Sequence, residues 1–327
     1  MLQYLVNRVL MIIPTLIVIS MISFVIIQLP PGDYLTTYMT RLQQSGYTVD
    51  QSEIDALNRR YGLDRPIHVQ YYRWITGVLR GDFGYSFDWQ RPVNQLIWER
   101  LALTLAVTTA SLFFSWVIAF PIGVYSAVKQ YSPGDYFFTF LGFLGLATPN
   151  FMIALLLMYV AYRYLGWSVG GLFSPEYMAA DWSMGKVIDL LKHLWIPMVV
   201  VGTAGTAGLI RVMRNNLLDE LSKPYVLTAK SKGLKQVYML FKYPVRLAII
   251  PFISTVGWQL PNLISGATIV AVVLSLPTAG PLLLRALLSQ DMYLAGSFVL
   301  LLASLTCIGT LISDVLLALV DPRIRYE

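Results

Sequence analysis

Polar side chains at helical spacing inside an apolar run are the first candidates for function. Gln259, Asn262 and Ser265 recur at every third position, so they share one face of a helix. Polar groups in lipid are costly unless they pair with one another or face a water-filled cavity. Two roles therefore stay open for this face: hydrogen bonding between helices, or lining a translocation path.

A repeat of small residues in another apolar run is the second candidate. Gly202, Gly205 and Gly208 also recur at every third position. Small residues allow membrane helices to approach closely. The alternative role is one wall of a passage that opens and closes, and for that role we take Gly205 as a candidate translocation-path residue.

The segment Asn215–Arg246 is the third candidate, because it is polar and basic although it joins two apolar runs. It carries six Lys/Arg against two acidic residues, with Gly233 in its middle. A connection between two membrane helices needs only a few residues. The length and pattern of this segment therefore predict a docking element for another protein.

Catalytic and metal-binding patterns are missing from the sequence. His68 and His193 lack the neighbouring ligands of zinc motifs, and Cys307 is the single cysteine. Gly185-Lys186 lacks the other residues of a GxxxxGK[ST] phosphate loop. We therefore predict no catalytic residues, no metal and no cofactor bound by this chain. Energy for active transport would therefore come from an ion gradient or from a separate subunit. No charged relay crosses the apolar runs, which weakens the case for an ion gradient.

The elements that position these residues are apolar runs long enough to cross a bilayer. The chain has 327 residues, 56% hydrophobic and 13% charged, which is a membrane composition. A spanning helix needs about 20 residues. Six runs meet that length: Val9–Leu29, Leu101–Val128, Phe137–Leu165, Leu194–Leu218, Leu247–Leu276 and Tyr293–Val320. We expect the first run to be a retained helix, since no small-residue cleavage site follows it.

Charge predicts the orientation of these spans. With the N-terminus in the cytoplasm, the inside segments carry 12 Lys/Arg and the short outside segments carry four. The long segment Pro30–Arg100 is left out, because long loops do not count under the positive-inside rule. Both termini and the basic segment are therefore predicted to be cytoplasmic. Basic loops beside the membrane also explain the net charge of +6 without nucleic acid.

The outside segment Pro30–Arg100 has a helix signal of its own. Pro66 predicts a helix start, and apolar residues follow at helical spacing from Ile67 to Val78. Packing within its own domain, lying on the membrane surface and forming a platform for an extracytoplasmic partner all stay open. We predict three regions: an N-terminal transmembrane helix (1–29), this extracytoplasmic segment (30–100), and a five-helix core (101–327) with a coupling loop at 215–246.

Several motifs, in order, resemble one family. They are Tyr4-Leu5-Val6-Asn7-Arg8, Leu29-Pro30-Pro31-Gly32-Asp33, Tyr61-Gly62-Leu63-Asp64-Arg65-Pro66, Gly81-Asp82-Phe83-Gly84-Tyr85-Ser86, Tyr225-Val226-Leu227-Thr228-Ala229-Lys230-Ser231-Lys232-Gly233-Leu234 and Asp321-Pro322-Arg323-Ile324-Arg325-Tyr326. Together they resemble, nearly end to end, the membrane permeases of dipeptide, oligopeptide and nickel ABC importers.

The resemblance implies an all-α polytopic membrane protein with six transmembrane helices and the type I ABC importer permease fold, in the bacterial inner membrane. It implies a second homologous permease, two ATPase subunits that bind ATP and Mg, an extracytoplasmic substrate-binding protein and membrane lipid as partners, and no nucleic acid. Peptide is the first expected substrate, with oligosaccharides or nickel chelates as alternatives. A stand-alone secondary transporter and a polytopic membrane enzyme are the competing classes.

The resemblance also implies a short coupling helix that projects from the membrane and docks on an ATPase. Its residues are Tyr225, Val226, Leu227, Thr228, Ala229, Lys230, Lys232, Gly233 and Leu234. Gly233 is expected to end the helix. The general family pattern begins Glu-Ala-Ala, whereas here Leu227 and Thr228 replace the Glu and the first Ala. Docking is therefore expected to depend on shape and apolar contact more than on that carboxylate.

Overall fold

The computed structural model describes residues 2–28, 65–166, 170–254 and 267–320. Within these ranges the chain forms helices and one isolated β-bridge, between Tyr85 and Pro92, which confirms the all-α prediction. Residues 267–273 are also helical. The named helices are α1 (Leu2–Gln28), α2 (Ile67–Leu79), α3 (Val93–Val128), α4 (Pro133–Ala147), α5 (Asn150–Leu165), α6 (Pro175–Met178), α7 (Met184–Leu221), α8 (Pro224–Ser231), α9 (Gln236–Lys242), α10 (Pro244–Ser254), α11 (Ala279–Leu288) and α12 (Met292–Val320).

Three helical stretches are long and apolar enough to cross a membrane without a break: Leu10–Gln28, Val93–Val128 and Met292–Val315. Three bent pairs also qualify: α4 with α5, the two halves of α7, and α9 with α10. If each bent pair is one span, the described residues hold up to six spans. Six is also the number that the sequence predicts, but α9 with α10 overlaps the predicted fifth span, Leu247–Leu276, only in part, and residues 255–266 of that span lie outside the described residues.

The third predicted span, Phe137–Leu165, is not one straight helix. Its two halves meet at 102° where Thr148 and Pro149 separate α4 from α5. Thr148 is extended, with ψ 122°, which is the conformation that a following proline favours. Both halves are apolar, so hydropathy alone reads them as continuous. The proline is the signal in the sequence for the break.

The described residues divide into two compact units, and helices α3 and α12 each contribute to both. One unit contains Thr104–Pro277 with the chain from Thr306 onward, and the other contains Leu2–Leu103 with Thr278–Leu305. The three regions predicted from the sequence remain a prediction.

In the first unit, α7 is the central helix. It packs against α4, α5 and α10, and its Leu209, Met213 and Leu217 are buried in a core that includes Phe252. Gly202 lies against α3, where the Ser115 hydroxyl donates a hydrogen bond of 2.7 Å to the Gly202 carbonyl. Close helix packing, one of the two roles predicted for the glycine repeat, is therefore observed at this position.

Replacing Gly202 with valine is expected to destabilise the first unit. A Cβ at position 202 would lie 2.6 Å from the Phe114 ring and 3.0 Å from the Ser111 carbonyl oxygen. Overpacking of this kind costs about 1–3 kcal/mol. Gly208→Val is the matched control, since nothing lies within 4 Å of a Cβ there. Thermal unfolding in detergent measures both variants, and an equal loss of stability would contradict the packing role.

In the second unit, α2 begins directly after Pro66, as predicted, and buries one face. Trp74 is 3% exposed and its indole donates to the Ser297 hydroxyl at 3.2 Å. Its ring stacks on Phe24 with centroids 5.5 Å apart. The Tyr71 and Ser20 hydroxyls are hydrogen-bonded at 2.7 Å. Of the arrangements left open for this helix, packing within its own domain is therefore observed.

A buried carboxylate joins the turn at residues 86–90 to the start of α12. Asp291 is fully buried and accepts from the Ser86 hydroxyl at 2.5 Å and from the Asp88 amide at 3.2 Å. Its other oxygen accepts from the Leu294 amide at 3.2 Å, which caps α12. Asp88 in turn binds Arg285 of α11 at 2.6 Å. Asp291 thus joins the turn to α12, and Asp88 joins the same turn to α11.

Candidate functional site

The basic segment folds as a short helix, α8, followed by a tight turn. Pro224 occupies the first turn, where its missing amide costs nothing. The helix ends at Ser231 and Lys232, and Gly233 follows with φ +71°, a left-handed conformation that glycine adopts without strain. The Gly233 amide donates to the Lys230 carbonyl at 3.0 Å. The short helix ended by Gly233 is therefore present where the sequence predicts it.

One face of α8 is fixed to the rest of the segment. Val226 and Ala229 are buried and pack with Met239 of α9. Leu234, Tyr225 and Tyr243 close this small core. Helix α8 therefore packs against α9 as a hairpin, and this packing supports a helix too short to be stable alone.

Tyr225 also ties α8 back to the end of α7. Its hydroxyl donates to the Glu220 carboxylate at 2.5 Å. Burial, followed by this contact with Glu220, raises the pKa of the Tyr225 hydroxyl, so it stays protonated and remains a donor. The Tyr225–Glu220 hydrogen bond therefore links the start of α8 to the end of α7.

The opposite face of α8 is exposed. Leu227 is 61% exposed, and Thr228, Lys230, Lys232 and Gly233 are also exposed. An apolar side chain thus projects between cations. The residues predicted for coupling therefore divide between two faces of α8. Val226 and Ala229 are buried in the hairpin core, whereas Leu227, Thr228 and Lys230 are exposed.

Helix α9 extends this exposed apolar surface, which the sequence analysis did not single out. Val237, Tyr238 and Phe241 are 69%, 52% and 51% exposed, while Met239 and Leu240 are buried. The signal in the sequence is five consecutive apolar residues in a helix of seven, too many for one buried face.

Of the predicted translocation-path residues, Gly205 lies within the described part of the chain. Gln259, Asn262 and Ser265 lie outside the described residues. Gly205 is half-buried in α7, at the start of the second of two segments, Met184–Thr203 and Gly205–Leu221, that meet at 54°. Gly205 therefore sits where α7 changes direction. Its role in a path remains a prediction.

Two arginines near the end of α7 contact different partners on α4. The Arg214 guanidinium binds Asp135 of α4 through two nitrogens, at 3.2 and 3.0 Å, and Asp135 is 3% exposed. Arg211 instead lies over the Phe143 ring, 5.6 Å from its centroid. The sequence places both arginines at the end of an apolar run, but only the fold brings Asp135 within reach.

Clusters of three or more His, Cys, Asp or Glu side chains that could hold a metal ion are absent from the part of the chain that the structure describes. The α8–α9 hairpin and the Arg211 and Arg214 contacts between α7 and α4 do not place a nucleophile beside a base.

Comparison with known proteins assigns this chain to a family. The family described as binding-protein-dependent transport system inner membrane component matches residues 119–326. The corresponding N-terminal membrane component matches residues 1–108. The chain belongs to this family of inner-membrane permeases and is a multi-pass permease subunit of an ABC transporter that works with a substrate-binding protein.

Relatives cover the chain from end to end. It is 37% identical over 327 residues to the oligopeptide transport system permease protein AppB of Bacillus subtilis, covering 100% of both chains. It is 30% identical over 340 residues to the dipeptide transport system permease protein DppB of Alkalihalophilus pseudofirmus, again covering 100% of both. It is 32% identical over 327 residues to the glutathione transport system permease protein GsiC of Salmonella typhimurium, with 100% coverage of each.

Proposed function

We propose that this chain is one of two permease subunits of a peptide importer and that α8 is the element through which an ATPase subunit drives it. The observation that supports this proposal is that α8 has one buried face and one exposed face. Val226 and Ala229 anchor α8 internally, whereas Leu227 is presented to the outside. An apolar side chain exposed on a packed, polar-flanked helix fits a groove on a partner, because buried anchor residues supply most of the energy of an interface.

The partners follow from this function. A second permease, homologous to this one, would complete the pathway, and two ATPase subunits would hydrolyse ATP and hold its Mg. An extracytoplasmic protein would deliver the substrate. The absence of a phosphate loop from the sequence supports a division of labour in which this chain hydrolyses nothing itself.

The orientation proposed is both termini in the cytoplasm. The charge difference between short loops supports it, as does the basic character of the segment Asn215–Arg246. In this orientation α8 faces the compartment that holds ATP, while α2 and the turn at residues 86–90 face the substrate-binding protein.

Peptide is the proposed substrate class, because the relatives are named for oligopeptide, dipeptide and glutathione transport. The test uses the complete transporter in liposomes with its substrate-binding protein. Labelled short peptides are expected to accumulate only with ATP, and excess unlabelled peptide should suppress that uptake. Competition by an oligosaccharide or a nickel chelate, with none by peptide, would overturn the substrate and leave the permease role intact.

A further inference from the structure

A cavity of about 330 Å³ lies between α4 and α7, near the cytoplasmic end of α7 in the proposed orientation. Polar groups gather in its wall, and apolar residues of α4 and α7 line the remainder. The polar residues are Tyr131, Asp135, Tyr136, Thr139, Arg211, Arg214 and Asn215. Neither the exposed residues of α8 nor Gly205 lines this cavity.

The charge of this cavity is not balanced. Asp135 is committed to Arg214 through two contacts and also accepts from the Tyr131 amide at 3.0 Å. Among the ion pairs of the described residues, Arg211 has no acidic partner. Its exposed guanidinium, stacked on Phe143, therefore leaves one net positive charge at the cavity. A guanidinium offers a planar fork of donors that matches a phosphate.

The surroundings of the cavity favour a membrane lipid as the bound molecule. Phe143 and Leu146 line the cavity and are 56% and 49% exposed, so they offer an apolar wall open to the bilayer. Tyr131 and Tyr136 are 69% and 62% exposed, and tyrosines are enriched at the level of lipid headgroups. Basic pockets between membrane helices on the cytoplasmic side bind anionic headgroups.

We propose that this cavity binds the phosphate of an anionic phospholipid through Arg211, with an acyl chain lying along Phe143 and Leu146. A free phosphate would use the same guanidinium but would gain nothing from the apolar wall. Because α4 and α7 both border the site, a bound lipid stabilises their packing. The inference depends on membrane embedding and does not depend on the peptide assignment.

The experiment compares the thermal stability of the purified transporter in nanodiscs of phosphatidylcholine alone and of phosphatidylcholine mixed with phosphatidylglycerol. Phosphatidylglycerol is expected to stabilise the native protein. Native mass spectrometry should also detect retained phosphatidylglycerol. The Arg211→Gln variant should bind that lipid about tenfold more weakly, which is the effect of losing a charge-assisted contact. Arg211→Lys keeps the positive charge but lacks the planar fork of donors. Its affinity for phosphatidylglycerol should lie between those of wild type and Arg211→Gln.

Arg163→Gln is the matched control. Arg163 is exposed in the last turn of α5 and stacks on Tyr164 at 5.9 Å, but it does not line this cavity. Equal lipid retention by Arg211→Gln and wild type would overturn the proposal. Full stabilisation by inorganic phosphate in phosphatidylcholine nanodiscs, with no further gain from phosphatidylglycerol, would assign the site to free phosphate and would also overturn it. A failure of peptide transport would leave these readouts unchanged.

Discussion

Replacing Leu227 with aspartate is expected to abolish ATP-driven uptake without unfolding the chain. Leu227 is 61% exposed, so the substitution removes little from the protein's own core. In the docked state the same side chain would be desolvated, and a carboxylate there would be buried without a partner. Loss of an interface anchor costs about 2 kcal/mol or more, which weakens binding by about 30-fold or more.

The measurement is co-purification of the ATPase subunits with the tagged permease, together with uptake in the same membranes. Leu227→Met is the control, because it preserves an apolar side chain of similar volume. It should retain both ATPase co-purification and uptake. The protein level in the membrane should be equal for the two variants. Normal assembly and transport by Leu227→Asp would remove α8 from the docking surface.

The second large effect is expected for Asp291→Ala, which should destabilise the second unit by about 3 kcal/mol. The change removes the cap of α12, worth about 0.5–2 kcal/mol. It also leaves the buried Ser86 hydroxyl without its acceptor, at about 1–3 kcal/mol. Asp82→Ala is the control, because Asp82 accepts a comparable bond from the Gly84 amide at 2.9 Å but is exposed to solvent.

The effect of Asp291 should also depend on pH. Burial raises the pKa of its carboxyl, and this outweighs the hydrogen bonds from Ser86, Asp88 and Leu294 that act in the opposite direction. A raised pKa in the folded state contributes stability below the unfolded-state pKa, and that contribution is lost as the pH rises through the folded-state pKa. The gap in melting temperature between wild type and Asp291→Ala should therefore widen as the pH falls. A gap that narrows on acidification would contradict the buried carboxylate.

Local signals account for the parts of the structure that the sequence predicts well. Pro224 and Gly233 bracket α8 because each requires a backbone conformation found at a helix end. Pro66 and the spacing of Tyr71 and Trp74 identify α2 and its buried face in the same way. Such features need no knowledge of distant parts of the chain.

Contacts between distant residues are what the sequence does not reveal. Asp135 and Arg214 are 79 positions apart, and Ser86 and Asp291 are 205 apart. No periodicity links such partners, since their proximity depends on how whole helices pack. The exposed side chains of α9 were missed for a different reason: an apolar residue in a membrane protein is expected to face lipid or core, so it attracts no notice as a docking residue.

Crosslinking from α8 is the most direct test of ATPase docking. Cys307 is the single native cysteine, so Leu227→Cys in a Cys307→Ser background places one thiol on the exposed face of α8. With the assembled transporter in native membranes, a short thiol-to-amine crosslinker is expected to join this position to an ATPase subunit. The same thiol should be protected from an impermeant reagent applied to intact spheroplasts. Labelling from outside, or crosslinks that never include an ATPase although uptake is normal, would contradict the account.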